Sequence, residues 1–100
     1  MPLGLSADKL EIMHYTYILL LIDNSNGKNF YVGATSNLQE HILRHKNKGV
    51  ETTKKFDKII LVYYEACRNK TDALKREKQL KTGFGRGYLK RRLENDISFN

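Results

Sequence analysis

Two short runs in this chain, residues 15–22 and 59–64, are apolar or aromatic on both alternating faces. Successive side chains of a strand point to opposite faces, so a strand of this kind has to be buried on both sides. The first run, with β-branched Thr16, Ile18 and Ile22, reads as the central strand of its sheet. It is followed by Asp23-Asn24-Ser25-Asn26-Gly27. Every residue of that segment tolerates turn geometry, and Asn-Gly is a strong hairpin signal. Residues 28–33 should therefore return antiparallel, which puts Tyr17 and Tyr31 on paired strands. The run Ile59-Ile60-Leu61-Val62-Tyr63-Tyr64 should pair beside this hairpin.

Helical signals fill the gaps. Ser36 or Asn37 can cap a helix by accepting from its unpaired backbone amides, and the helix should run to about Lys48, where Gly49 ends it. At about 100° per residue, Leu38, His41, Ile42 and His45 fall on one face, with Arg44 and Lys48 beside it. Residues 50–58 read as a polar, lysine-bearing loop. Thr71 is a cap for a helix from Asp72 to about Lys81, on which Ala73, Leu74, Glu77 and Leu80 share one face. A carboxylate in an apolar stripe needs a cation, a metal or a hydrogen-bond donor, because an unpaired buried charge is costly. Residues 82–87, with three glycines, should break that helix, and residues 88–95 read as a last basic helix. Residues 1–12 read as a loose N-terminal extension or one helical turn, residues 13–95 as a single domain, and residues 96–100 as a tail.

One hundred residues suffice for one domain with a modest core. No apolar run approaches the roughly 20 residues needed to span a bilayer, and no basic segment leads into an apolar stretch at the start, so the expectation is a cytoplasmic protein with no membrane partner. Cys67 is the only cysteine, which rules out an internal disulfide or a cysteine-based zinc site and fits a buried structural thiol. The net charge of +7 is unevenly placed. From Arg68 to Arg92 ten basic residues face only Asp72 and Glu77. Such a stripe attracts polyanions in a salt-dependent way, and equally describes a solvated lysine-rich surface.

The strand His14-Tyr15-Thr16-Tyr17-Ile18-Leu19, the strand Asn29-Phe30-Tyr31-Val32-Gly33, the helix that follows and Glu77 in a later basic helix together resemble the GIY-YIG nuclease domain. Tyr15-Thr16-Tyr17 stands at the first family triplet and Tyr31-Val32-Gly33 at the second, with Tyr17, Tyr31 and Gly33 the positions that the pattern stresses. Asn37-Leu38, His45, Val62-Tyr63-Tyr64-Glu65 and residues 73–81 look especially like the small stand-alone bacterial members, similar to the nuclease end of the excision-repair incision subunit. The resemblance implies an α+β fold, a small three-stranded antiparallel sheet flanked by helices, and a one-metal nuclease mechanism. By that analogy Tyr17 is the general base or positions water, Tyr31 holds water or phosphate, and Glu77 ligates Mg²⁺ or Mn²⁺. A lone carboxylate is chemically sufficient for such an ion, which keeps several waters. Gly33 would let the backbone pass close to the substrate or the next helix. The implied substrate is DNA in a branched, damaged or single-stranded form, in repair or recombination, with Lys75, Arg76, Lys78, Lys81, Arg86 and Lys90 contacting it.

One position departs from the pattern. Eight residues after Gly33 the family carries an arginine that binds phosphate in the transition state, and here that position is His41. An imidazole is largely neutral at pH 7 and cannot make a bidentate phosphate contact. Arg44, one turn further along the helix, is the candidate substitute. The alternatives are a catalytically weak or inactive nucleic-acid-binding module, or a protein-interaction domain. The site residues have plain readings too: Tyr17 and Tyr31 as core tyrosines, Glu77 in a salt bridge with Arg44 or another cation, His41 with His45 as a zinc pair, and His45 as a simple donor to a tyrosine hydroxyl or a carbonyl.

Overall fold

The computed structural model describes residues 12–96; the expected extension before Ile12 and the tail after Asp96 lie outside the described residues. Six elements follow in the order β1 (His14–Ile22), β2 (Lys28–Thr35), α1 (Leu38–Lys46), β3 (Lys58–Cys67), α2 (Lys70–Leu80) and α3 (Gly83–Arg92). The strands form one antiparallel sheet in the order β2-β1-β3. Of the two runs that are apolar on both faces, residues 15–22 therefore lie at the centre, whereas residues 59–64 lie in the edge strand β3 and are not buried on both sides, Tyr64 being 51 % exposed. The hairpin turn is held by Asp23, whose carboxylate accepts from the amides of Ser25 and Gly27, while Asn26 takes a positive φ of 64°. No helix among the described residues is long and apolar enough to cross a membrane.

Alternation along β1 divides the core into two clusters. Tyr17, Leu19 and Leu21 pack with Ile42 of α1 and with Phe56 and Ile59, whereas Ile18 packs with Val32, Leu80 and Leu89 beneath α2 and α3. Burying Leu80 and Leu89 contributes about 1.5–3 kcal/mol each. Thr16, buried on the α2 side, donates its hydroxyl proton to the Ala73 carbonyl at 2.9 Å and ties the helix to the central strand. On β3 the register slips: Ile18 faces Tyr63 but Leu19 faces Leu61, leaving Val62 as the extra residue of a bulge. The bulge sets Val62 and Tyr63 both against the α2–α3 cluster, while Leu61 stays with α1.

The structure revises five further expectations. Cys67, expected as a buried thiol, is only half-buried, its Sγ donating to the Asn69 carbonyl at 3.4 Å. α1 closes at Asn47, and the residue with positive φ is Lys48 (62°), one position before the expected glycine; Gly49 then donates to the Arg44 carbonyl. α2 is capped by Asn69 in place of Thr71, its side chain accepting from the amides of Thr71 and Asp72. The loop 50–58 is not merely polar, since Thr53 and Phe56 are both buried. Finally, residues 83–87 do not break the helical path: α3 starts at Gly83 behind the cap Thr82, and the break is confined to the two residues before it. Glycine disfavours a helix by entropy, but here Gly85 is where α3 meets the end of α2. A Cβ at Gly85 would stand 2.4 Å from the Cα and O of Leu80. The glycine therefore serves close approach.

Adding that methyl has a defined cost. Gly85→Ala should lower unfolding stability by about 1–3 kcal/mol, as overpacking against backbone does. Gly83→Ala, whose Cβ would meet nothing within 4 Å, should be neutral or slightly stabilising. Urea unfolding of the two variants side by side tests this; equal stabilities would mean that α2 and α3 do not approach so closely.

Candidate active site

Tyr17 projects from β1 toward α1, and its partner on β2 is Gly33. A Cβ at Gly33 would lie 2.4 Å from Tyr17 Cζ and Oη, so the phenol ring occupies the space a side chain would take. The missing side chain of Gly33 thus makes room for Tyr17, a use that sequence reasoning did not include. Laid across the glycine, Tyr17 Oη comes 3.0 Å from His45 Nε2, and His45 Nδ1 lies 2.8 Å from Thr53 Oγ1. Tyr17, His45 and Thr53 are 2, 1 and 0 % exposed, so this chain of polar atoms is shut away from bulk water.

Hydrogen-bond satisfaction assigns its direction. Among the described residues His45 is the partner of the Tyr17 hydroxyl, and a buried O–H without an acceptor is costly. Tyr17 therefore donates to Nε2. The imidazole proton then sits on Nδ1 and is donated to Thr53 Oγ1, whose own proton points to the Val50 carbonyl at 3.5 Å. Burial first, and then the charges of Tyr31 and Glu77, push the Tyr17 phenol well above its ordinary range, while Arg44 pulls the other way and is outweighed. Burial, followed by His41 and Arg44, pulls His45 below the ordinary imidazole value. Near neutral pH the phenol keeps its proton and the imidazole keeps a lone pair directed at it.

The other expected residues gather around this pair. Tyr31 is half-buried, its ring 6.3 Å from Tyr17 and 5.0 Å edge-on from His45. His41, also half-buried, has its ring 6.4 Å from Tyr17. Arg44 is exposed on α1, close enough for its charge to act on both Tyr17 and His45. A zinc pair of His41 and His45 is not available, because both ring nitrogens of His45 are engaged. Glu77 reaches the site from α2, on the opposite face of the sheet, and its charge is felt at Tyr17. Its side chain is 20 % exposed and forms a salt bridge with Lys81 at 3.1 Å, one turn along the same helix. Leu74, expected to flank Glu77 in an apolar stripe, is 41 % exposed, so the carboxylate borders the core without being enclosed by it.

The basic residues do not form one stripe. Lys81 and Arg86 line a groove beside β2, Lys75 lies with Asp72 and Gln79 on another part of α2, and Lys78 and Lys90 are exposed. Arg76 is drawn into a structural cluster. Its guanidinium makes a forked contact with Glu65 at 2.8–3.1 Å and stacks over the Tyr88 ring, while Tyr63 Oη donates to Glu65 at 2.8 Å. Burial works against the Glu65 carboxylate, but the hydrogen bonds from Arg76 and Tyr63 hold it below its usual range. Sequence reasoning missed Thr53 and Phe56. Phe56, the one aromatic residue in loop 50–58, was a visible sign that the loop is anchored; Thr53 carried no sign of its own.

The site thus gathers two tyrosines from adjacent strands, two histidines on α1 and the carboxylate of Glu77 from α2. The chain belongs to the GIY-YIG family, the GIY-YIG catalytic domain matching residues 13–92. It is similar to the UPF0213 protein of Staphylococcus haemolyticus, 39 % identical over 70 residues that cover 69 % of this chain and 80 % of the relative. The UPF0213 protein of Clostridium perfringens is 39 % identical over 70 residues, covering 69 and 71 %. That of Pediococcus pentosaceus is 34 % identical over 85, covering 84 and 85 %. No solved structure matches the chain. Membership supports an endonuclease-type function.

The buried relay makes two measurable demands. Thr53→Val keeps the shape but leaves the Nδ1 proton without an acceptor, so it should cost about 1–3 kcal/mol in urea unfolding, with most of the loss restored by Thr53→Ser. The fold also holds His45 neutral, whereas the unfolded chain takes up that proton near pH 6.5. The unfolded state therefore binds more protons below that value, and stability should fall as pH drops from about 7 to 5. In His45→Gln that slope should flatten; an unchanged slope would assign the pH dependence to other groups.

Proposed function

We propose that this protein is a divalent-metal-dependent endonuclease that hydrolyses DNA phosphodiester bonds. The observation that carries the reading is the directed chain from Tyr17 through His45 to Thr53, because it gives a water-activating phenol somewhere to send its proton. Because Tyr17 is closed to bulk water, the attacking water has to arrive with the substrate; as Tyr17 Oη takes its proton, the phenol's own passes to His45 Nε2. The resulting imidazolium stays bonded through Nδ1 to Thr53 Oγ1. Tyr31 and His41, reachable by solvent, flank the approach to Tyr17. Arg44, the α1 cation whose charge acts on both Tyr17 and His45, would take the phosphate.

Glu77 would hold the Mg²⁺ or Mn²⁺. The donor set fits such an ion: one carboxylate, partly exposed, whose present partner is the flexible ammonium of an exposed lysine. When bound, the cation supplies charge neutralisation at the phosphate.

A second reading is a DNA-binding module with weak or no cleavage, and His41 is the observation that favours it. Position 41 lies against a cleft of 280 Å³ lined also by Ala34, Ala73 and Leu74, which leaves space for a longer side chain. Nicking of supercoiled plasmid with Mg²⁺ or Mn²⁺ separates the two. Under the enzyme reading, Glu77→Ala cuts metal-dependent nicking by about a hundredfold or more, the scale of losing one electrostatic group of an active site. His41→Arg should raise it by about tenfold, the effect of one added charge-assisted hydrogen bond. Binding without nicking in the native chain, under either metal, would move the assignment to the silent module.

A further inference from the structure

Two carboxylates are paired with cations of α2, and the two cations are held differently. Glu65 on β3 is met by Arg76 through a forked contact at 2.8–3.1 Å, and the guanidinium also stacks on the Tyr88 ring. A cation held in this way cannot leave without losing several charge-assisted bonds and a ring contact at once. Glu77 is met by Lys81 through one ion pair, Nζ to Oε2 at 3.1 Å. The lysine side chain is 55 % exposed, and residue 81 is the C-cap, where α2 ends. Its ammonium can therefore move out into solvent with the backbone left in place.

Such a pair is weak enough to be exchanged. An exposed Glu–Lys contact one helical turn apart shifts an equilibrium by only about two- to fivefold. A divalent ion brings twice the charge to the same carboxylate and tolerates a single protein ligand because it keeps its waters. The two cations do not share Glu77 comfortably, since like charges a few ångströms apart repel even when they sit on different oxygens. We infer that Lys81 is an exchangeable counter-ion built into the metal site: it neutralises Glu77, competes with the divalent ion for it, and is released when that ion binds. The inference rests on the reading of Glu77 as the metal ligand, and adds that the chain's own lysine lowers its divalent affinity. It also gives the pair a use toward substrate. The charge of Glu77 is felt at Tyr17, so a phosphate approaching there would be repelled by a bare carboxylate and is not repelled by a neutral pair.

The test is titration of the full chain with Mn²⁺ in the absence of DNA, with the free ion read by electron paramagnetic resonance. Lys81→Gln removes the competing ammonium and should tighten Mn²⁺ binding by about two- to fivefold, the strength of the pair. Lys81→Arg keeps a cation at that position and should bind Mn²⁺ no more tightly than the native chain. Lys78→Gln controls for charge alone: Lys78 is exposed and adjacent to Glu77 in sequence, but successive residues of a helix do not face each other. That variant should change the affinity by less than about 1.5-fold, the part left to a screened surface charge. Circular dichroism checks that each of these surface variants is folded. A Lys81→Gln chain that binds Mn²⁺ like the native one, or equal tightening by Lys78→Gln and Lys81→Gln, would overturn the exchange while leaving the metal ligand in place. The underlying reading fails by a different result: Mn²⁺ bound as tightly by Glu77→Ala as by the native chain would remove Glu77 as the ligand, and the exchange with it.

Discussion

The missing side chain at Gly33 is the constraint on which the rest of the site depends. Because β1 and β2 pair Tyr17 with Gly33, the phenol can lie flat across the neighbouring strand, where any Cβ would meet it at 2.4 Å. Only from that position does the hydroxyl reach the last turn of α1 and the buried imidazole there. His45 then needs a partner for its second nitrogen, which is why Thr53 in the following loop is fully buried. The loop is in turn pinned by Phe56 in the same core cluster. One glycine in an edge strand thus determines where a tyrosine, a histidine and a loop threonine come to rest.

The opposite face of the sheet does a different job. Arg76 and Glu77 are neighbours on α2 and so point about 100° apart around it. The forked contact of Arg76 with Glu65 fastens α2 to β3, and the hydroxyl bond from Thr16 to the Ala73 carbonyl fastens it to β1. With the rotation of the helix set by these contacts, the next residue, Glu77, is close enough for its charge to act on Tyr17. Arg76 thereby acts as a structural anchor of the carboxylate, and it counts among the folding contacts before any substrate contact. A forked, partly buried arginine pair suits this use, since it resists rotation in a way that a lysine point charge does not.

Much of this was legible from residue patterns. Runs apolar on both faces identified β1 and β3, the Asn-Gly turn identified the hairpin, and helical spacing brought His41 and His45 to one face with Arg44 beside it. What stayed illegible depended on tertiary contact. The three glycines of residues 83–87 argue locally against a helix, and only the approach of α3 to Leu80 shows why one of them is required. Asn69 and Thr71 are both competent caps, so local chemistry does not choose between them; the start of α2 after β3 does. Thr53 looks like any loop threonine until His45 is seen to need an acceptor. In the same way Arg76 is indistinguishable in sequence from Lys75 and Lys78, although only Arg76 stands opposite Glu65.

The replacement of arginine by His41 bears on the proton relay as well as on phosphate. Positive charge near His45 lowers its proton affinity, and both His41 and Arg44 act in that direction. A guanidinium at position 41 would carry a permanent charge beside the imidazole that accepts the Tyr17 proton, deepening that effect by Coulomb repulsion. The cation at position 41 and the base at position 45 are therefore in competition: strengthening the grip on phosphate weakens the acceptor. With a histidine at 41 the balance tips toward the acceptor, and the fixed charge of α1 moves one turn along, to Arg44. Under the proposed mechanism, then, charge stabilisation at the phosphate would fall to the exposed Arg44 and proton transfer to the buried pair of Tyr17 and His45.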